Sequence, residues 1–185
     1  MALRIKSHWW NEEASRSLQE IASALAVIAW RIALDKAINL HCERFVYRDD
    51  PQRLAVIQEY LYFLMQIGDR LAHARLGDDE RRTLITAFAV KLIEHVQDNS
   101  ADLLGPGDYG RPFIDGLNQR ADEYAAFQLG DDGPSYAFLR HLGHEIQSLM
   151  GEQEENRWVI DQVMDKDGYE AYQRFARAFR DLLEA

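Results

Sequence analysis

The sequence has a single cysteine, Cys42, and only 4 prolines among its 185 residues. One cysteine excludes a disulfide within the chain and is typical of a reducing compartment, so we expect a cytoplasmic protein. Basic side chains are also scarce, since 21 Lys and Arg stand against 31 Asp and Glu for a net charge of -10. Nucleic-acid binding needs a basic face that displaces counterions from phosphates, and this composition therefore argues against a nucleic-acid partner.

Long apolar runs and familiar catalytic signatures are missing as well. The longest apolar run, from Ile21 to Trp30, is interrupted by Ser23. A membrane-spanning helix needs about 20 apolar residues, so we expect no membrane partner. The Gly-x-Ser-x-Gly elbow, the Walker loop, the dinucleotide fingerprint and His-Glu-x-x-His do not occur. The sequence leaves open whether the protein is an enzyme.

The remaining residues are typical of helices. No alternating strand pattern of useful length occurs, and proline and glycine mark the boundaries between helical segments. The pattern predicts an all-α bundle of about seven helices in a single domain over 1–185. Three long helices occupy 12–99 (12–47, 51–76 and 78–99), a loop follows at 100–112, and shorter helices fill 112–184 (112–128, 134–150, 153–165 and 168–184).

The first helix, 12–47, is apolar on two opposite sides. At about 100 degrees per residue, two stripes emerge, one of Leu18, Ile21, Leu25, Ile28 and Ile32, the other of Val27, Trp30, Leu34, Ile38, His41 and Phe45. A helix that is apolar on two sides must be covered on two sides. We therefore expect it to be central in the bundle or to lie at a dimer interface.

Two adjacent tryptophans, Trp9 and Trp10, precede the first helix. Aromatic side chains of this size are costly to expose and are enriched at interfaces, so they should dock on the domain or on another chain. Together with the doubly apolar first helix, they favour a homodimer, because two-fold dimers are the commonest oligomers.

Several polar side chains fall on apolar helix stripes and so should point inward. They are His41 on the first helix, His95 on the third, and Glu145 with its i-4 neighbour His141. A lone buried carboxylate is costly, so Glu145 should be paired, protonated, metal-bound or less buried than its stripe suggests. These four residues could form a metal site for iron, manganese or zinc, although a buried hydrogen-bond network without metal explains them too.

Two further polar groups have an ordinary and a functional interpretation. Asp69 and His73 are spaced i,i+4 on the second helix, as in a carboxylate-histidine pair, but a solvated helix face has the same spacing. The acidic stretch 161–170 fails the spacing of a calcium-binding EF-hand loop and is better explained as a solvated turn.

The sequence therefore supports two hypotheses about function. The first is a soluble, non-enzymatic helical protein that acts through protein contacts, as a homodimer or with another protein partner. Its motivation is the absence of catalytic motifs, the paired tryptophans and the acidic second half, where 8 basic residues face 17 acidic ones over 101–185. The alternative is a metal-binding or metal-dependent bundle that uses His95, His141, Glu145 and His41.

Overall fold

The computed structural model describes residues 17–184, and most of these residues lie in helices. The two strands are only two residues each, β1 (Leu129–Gly130) and β2 (Gly133–Pro134), and they form an antiparallel hairpin. A 3-10 turn covers Glu154–Asn156 and a π-helical turn covers Val163–Asp167. The α-helices are α1 (Leu18–Cys42), α2 (Asp50–His73), α3 (Asp78–Leu104), α4 (Gly110–Tyr124), α5 (Tyr136–Met150), α6 (Val159–Gln162) and α7 (Gly168–Leu183).

The prediction of an all-α bundle is confirmed, but the count of about seven helices is too high. Within 17–184, six helices have 15 residues or more. The segments predicted separately at 153–165 and 168–184 are joined, because the four-residue α6 runs through the π-helical turn directly into α7. Gly168 therefore lies inside a continuous helical rod and does not interrupt it.

The first helix ends earlier than the predicted position 47. Arg44 adopts a left-handed backbone with φ 75, the amide of Phe45 donates to the carbonyl of Leu40 at 3.1 Å, and the amide of Arg44 donates to His41 at 3.0 Å. These bonds form a Schellman cap built without glycine. The capping box of Ser17 and Glu20 fixes the other end, so α1 has 25 residues.

α1 packs against α2, α3 and α7, and most extensively against α3. α1 contributes a row of fully buried small side chains: Ala22, Ala26, Ala29, Ala33 and Ala37. The buried apolar residues of α3 are Leu84, Phe88, Leu92 and Val96. Buried small and large side chains of this kind pack closely and so maximise dispersion contacts in the core.

Among residues 17–184, the second apolar side of α1 is only partly covered: Trp30 and Leu34 pack against the edge of the core, but other members remain exposed. Ile21, Leu25 and Ile32 from the first side are buried, whereas Val27 is 39% and Ile38 is 50% exposed. The helix was expected to be central in the bundle or at a dimer interface, and its contacts with α2, α3 and α7 are those of a central helix, although part of its second side stays exposed among the described residues. Within 17–184, no helix is both long enough and apolar enough to cross a membrane.

Candidate functional site

A cluster of charged side chains lies where α2, α4 and α5 meet. We call Glu59, Arg120, Glu123, His141 and Glu145 the Arg120 cluster. The Arg120 guanidinium donates to both carboxylate oxygens of Glu59, at 2.9 and 2.8 Å. It also donates to Glu123 Oε2 at 2.8 Å and to Glu145 Oε2 at 2.5 Å. Arg120 thus holds together carboxylates from three different helices.

His141 completes this cluster. Its Nε2 lies 2.9 Å from Glu123 Oε2, and its ring makes an edge contact with the Tyr124 ring at 4.8 Å between centroids. One ligand atom each from Glu123, His141 and Glu145 can be chosen so that all three lie within 4.8 Å of one another. The hydroxyl of Tyr124 is fully buried beside the cluster and has no hydrogen-bond partner among the described residues.

Burial and hydrogen bonding act differently on the carboxylates. Burial raises the pKa of Glu59 above its ordinary value, and the hydrogen bonds from Arg120 only partly offset this effect. For Glu123, burial also acts to raise the pKa, but hydrogen bonds and charge from Gln119, Arg120 and His141 outweigh it and lower the pKa. Burial raises the pKa of Tyr124, and the charge of Glu59 adds to this shift, so Tyr124 keeps its proton.

The Arg120 cluster is an ion-pair network in which carboxylates outnumber cations. Three carboxylates face one guanidinium, so with a neutral His141 the cluster carries two uncompensated negative charges. A partly buried excess of charge favours binding of a further cation or proton. A metal held by Glu123, His141 and Glu145 would have to replace the bond between His141 and Glu123 and share Glu145 with Arg120.

The structure brings together two of the four predicted metal ligands. His141 and Glu145 meet at Glu123 and Arg120, which the sequence interpretation missed because Glu123 and Arg120 come from another helix. His95 instead stacks on Trp30 of α1, with ring centroids 6.3 Å apart. His41 is exposed at the end of α1. Because His95 packs on α1 and His41 is exposed, neither histidine belongs to the Arg120 cluster.

The predicted pair of Asp69 and His73 is separated by an arginine from the next helix. Arg81 of α3 donates to both oxygens of Asp69, at 2.8 and 2.6 Å, and its Nη1 lies 3.4 Å from His73 Nδ1. A bidentate guanidinium is a stronger partner for a carboxylate than an imidazole one turn away. These residues therefore join α2 to α3 near their connecting turn.

A second ion pair lies deeper in the protein and was not expected. Lys36 of α1 donates to Asp167 at 3.1 Å and also to Glu170, while Asn39 donates to Asp167 at 2.9 Å. Asp167 is completely buried, so the interpretation of 161–170 as a solvated turn is wrong at this position. The π-helical turn carries Asp167 toward α1, a displacement that an ordinary helical pattern does not predict.

The partly exposed second side of α1 lines two grooves that adjoin one another. We call Val27, Trp30, Leu34 and Ile38 the α1 outer face. A groove of about 390 Å³ runs between this face and Leu103 of α3, and a second of about 530 Å³ continues past Ile38 toward His41, Val46 and Tyr47. Ile38 and Arg53 line both grooves. The other predicted interface residues, Trp9 and Trp10, lie outside the described residues.

Comparisons with known proteins were made at the level of both sequence and structure. A scan against protein-family models finds no match, and searches of curated proteins and of solved structures find none either.

Proposed function

We propose that this protein acts through protein contacts as a homodimer, with the α1 outer face as its interface. The single observation that supports this proposal is the continuous, partly exposed apolar row on a helix whose opposite side is the centre of the core. Apolar rows of this length on monomers mark interaction sites more often than scattered exposed residues do. The row from Val27 to Ile38 extends over about 17 Å of helix, as the rise of 1.5 Å per residue requires.

A second copy of the chain fits this face in charge as well as in polarity. A two-fold interface is self-complementary, so each charged group must meet its opposite on the partner. Arg31 and Asp35 flank the row four residues apart, and both are exposed. Asp35 already accepts a bond from Arg174 at 2.8 Å, whereas Arg31 makes no ion pair within the described part of the chain. Two antiparallel copies of α1 would place Arg31 of one copy near Asp35 of the other.

Light scattering coupled to size-exclusion chromatography tests the interface. The wild-type protein should have twice the 21.4 kDa mass of one chain. The double substitution Val27→Glu with Ile38→Glu should give a monomer with unchanged helical circular dichroism, since it puts charge at the centre of an apolar contact. Tyr136→Glu is the matched control, because Tyr136 is 71% exposed on α5 and its loss should leave the dimer intact. A wild-type monomer across micromolar concentrations would overturn the proposal.

A metal-binding function is the second candidate, and the closeness of Glu123, His141 and Glu145 favours it. Ligands of one zinc ion lie at most about 4.4 Å apart, because each bond is about 2.0 to 2.2 Å. The three atoms, now within 4.8 Å, would need to close in only slightly. Imidazole and carboxylate ligands suit zinc, iron or manganese.

Element analysis of untagged native protein tests this candidate. One equivalent of metal per chain, lost in Glu123→Gln but retained in Glu94→Gln, would support it. Glu94 is an exposed glutamate of α3 that pairs with Lys91 and serves as the control. Metal-free native protein that also takes up no zinc on dialysis would exclude it.

A further inference from the structure

A pocket of about 550 Å³ lies between the end of α2, the β-hairpin and α7, and it shares no lining residue with the α1 outer face or the Arg120 cluster. Three arginines line it: Arg70 of α2, Arg75 just after that helix, and Arg180 of α7. Of the described residues around this pocket, Asp131 supplies the single carboxylate. The lining therefore carries two net positive charges in a chain whose net charge is -10. We call these residues, together with Tyr172, the arginine pocket.

The guanidinium groups of the arginine pocket are not neutralised by neighbouring acids. Across 17–184, no carboxylate lies within 4 Å of Arg70, Arg75 or Arg180. Arg70 is partly buried, whereas Arg75 and Arg180 are exposed and lie open to an incoming ligand. Unpaired guanidinium groups that face one cavity attract anions, and their planar forks match the oxygens of phosphate or carboxylate groups.

Arg70 is held in place before any ligand arrives. Its Nη2 donates to the carbonyls of Tyr124 at 2.6 Å and Phe127 at 3.0 Å, and its guanidinium lies 5.0 Å from the centre of the Phe138 ring. Burial lowers the pKa of Arg70, and nearby Asp69 only partly offsets this. Because the guanidinium is already fixed, little conformational entropy is lost when an anion binds near it.

Tyr172 is positioned on the pocket wall by the hairpin. A side chain at Gly133 would approach Tyr172 Cε1 to 2.8 Å, so the hairpin backbone rests directly on the tyrosine ring. Tyr172 lines the same pocket as Arg75 and Arg180. Burial and the neighbouring Tyr169 raise the pKa of Tyr172, while the charges of Arg180 and Arg75 oppose the shift. The protonated hydroxyl can donate a hydrogen bond to an anion, and the ring offers an apolar surface for the rest of a ligand.

We propose that the arginine pocket binds a small organic molecule that carries a phosphate group. A dianionic phosphate matches the net charge of the lining, and its oxygens can accept from Arg75, Arg180 and Tyr172 at once. The volume of about 550 Å³ exceeds the needs of the phosphate alone and lies within the usual range of small-molecule sites. The apolar walls formed by Leu71 and Leu129 would take the uncharged part.

Isothermal titration with inorganic pyrophosphate, which carries the proposed group without an organic part, tests this site on the full chain. We expect saturable binding by the wild-type protein, and Arg75→Ala and Arg180→Ala should each weaken it at least about tenfold, the effect of losing a charge-assisted hydrogen bond. Arg140→Ala is the control, since Arg140 is an exposed arginine of α5 that makes no ion pair with the described residues. Thermal unfolding of each variant will show that the fold is retained.

Three outcomes would overturn the proposal. One is the absence of binding up to about 10 mM pyrophosphate, a concentration well above the dissociation constant of even weak specific sites. Another is an equal loss of affinity in Arg140→Ala, which would mean that the anion responds to general charge. The third is malonate binding as tightly as pyrophosphate, which would show that two carboxylates are recognised and that phosphate is not the preferred group.

Discussion

Arg120 has a larger structural role than any other charged side chain on α4. It neutralises Glu59, whose side chain is only 7% exposed, and it joins α4 to both α2 and α5. Replacement by methionine would keep much of the volume but leave Glu59 without its counter-charge. We expect Arg120→Met to lower the free energy of unfolding at pH 7 by about 3 to 5 kcal/mol, the usual cost of breaking a buried pair from one side. Urea denaturation measures this change.

The pH dependence of this variant has a definite sign. Burial raises the pKa of Glu59, so between its ordinary value and the raised one the folded state binds more protons than the unfolded state. Stability then increases as the pH falls through that range. Removing Arg120 raises the pKa further, so the destabilisation should be smaller at pH 5 than at pH 7. Arg140→Met is the control, and a loss that is equal at both pH values would contradict the explanation.

The candidate site shows how far single residues could be predicted. The i,i+4 spacing placed His141 and Glu145 on one side of α5, and both do lie at the Arg120 cluster. Their partners could not be found by spacing, because Arg120 is 25 residues from Glu145 and Glu123 is 18 residues from His141, on another helix. Periodicity describes one helix at a time, whereas a site between helices depends on their packing.

At the scale of single elements, the β-hairpin depends on one glycine. Gly133 has φ +114, a backbone conformation that favours glycine, and its position against Tyr172 leaves no room for a methyl group. We expect Gly133→Ala to destabilise the protein by about 1 to 3 kcal/mol, through backbone strain and the displaced tyrosine. Thermal or urea unfolding measures the effect.

Gly130 provides a matched control within the same hairpin. Its backbone is outside the left-handed region, and the nearest atom to an added methyl would be the Gly133 carbonyl oxygen at 3.9 Å. Gly130→Ala should change stability by no more than about 0.5 kcal/mol, as is usual for exposed positions. Similar losses in the two variants would show that the tyrosine contact and the positive φ are not the cause.

Helix ends were predictable only where the chain uses common signals. Asp49 and Pro51 are common signals for a helix start and lie at the beginning of α2, where the Asp49 side chain accepts from the amide of Gln52 at 2.8 Å. The end of α1 was placed too late because Arg44 occupies the left-handed position where glycine is usual. The π-helical turn at Val163–Asp167 was also missed, since its sequence contains no proline or glycine to mark it.

At the scale of the whole molecule, the negative net charge of the chain opposes the proposed dimerisation. Two chains that each carry -10 repel one another, while the α1 outer face contributes apolar attraction that salt does not screen. Raising the salt concentration from about 0.05 M to 0.5 M shortens the range of the repulsion. The dimer dissociation constant measured by sedimentation should therefore fall. Dissociation at high salt would indicate an interface held by ion pairs instead.

The sequence by itself determined the helical class, where most of the helices begin and the two apolar sides of the first helix. These properties follow from local backbone preferences and from periodicity, which act within a few residues. Only the tertiary structure decided which of the two sides is buried, which carboxylates Arg120 holds, and that three arginines share one pocket. Such arrangements join residues distant in the chain, and the packing of helices against one another selects them.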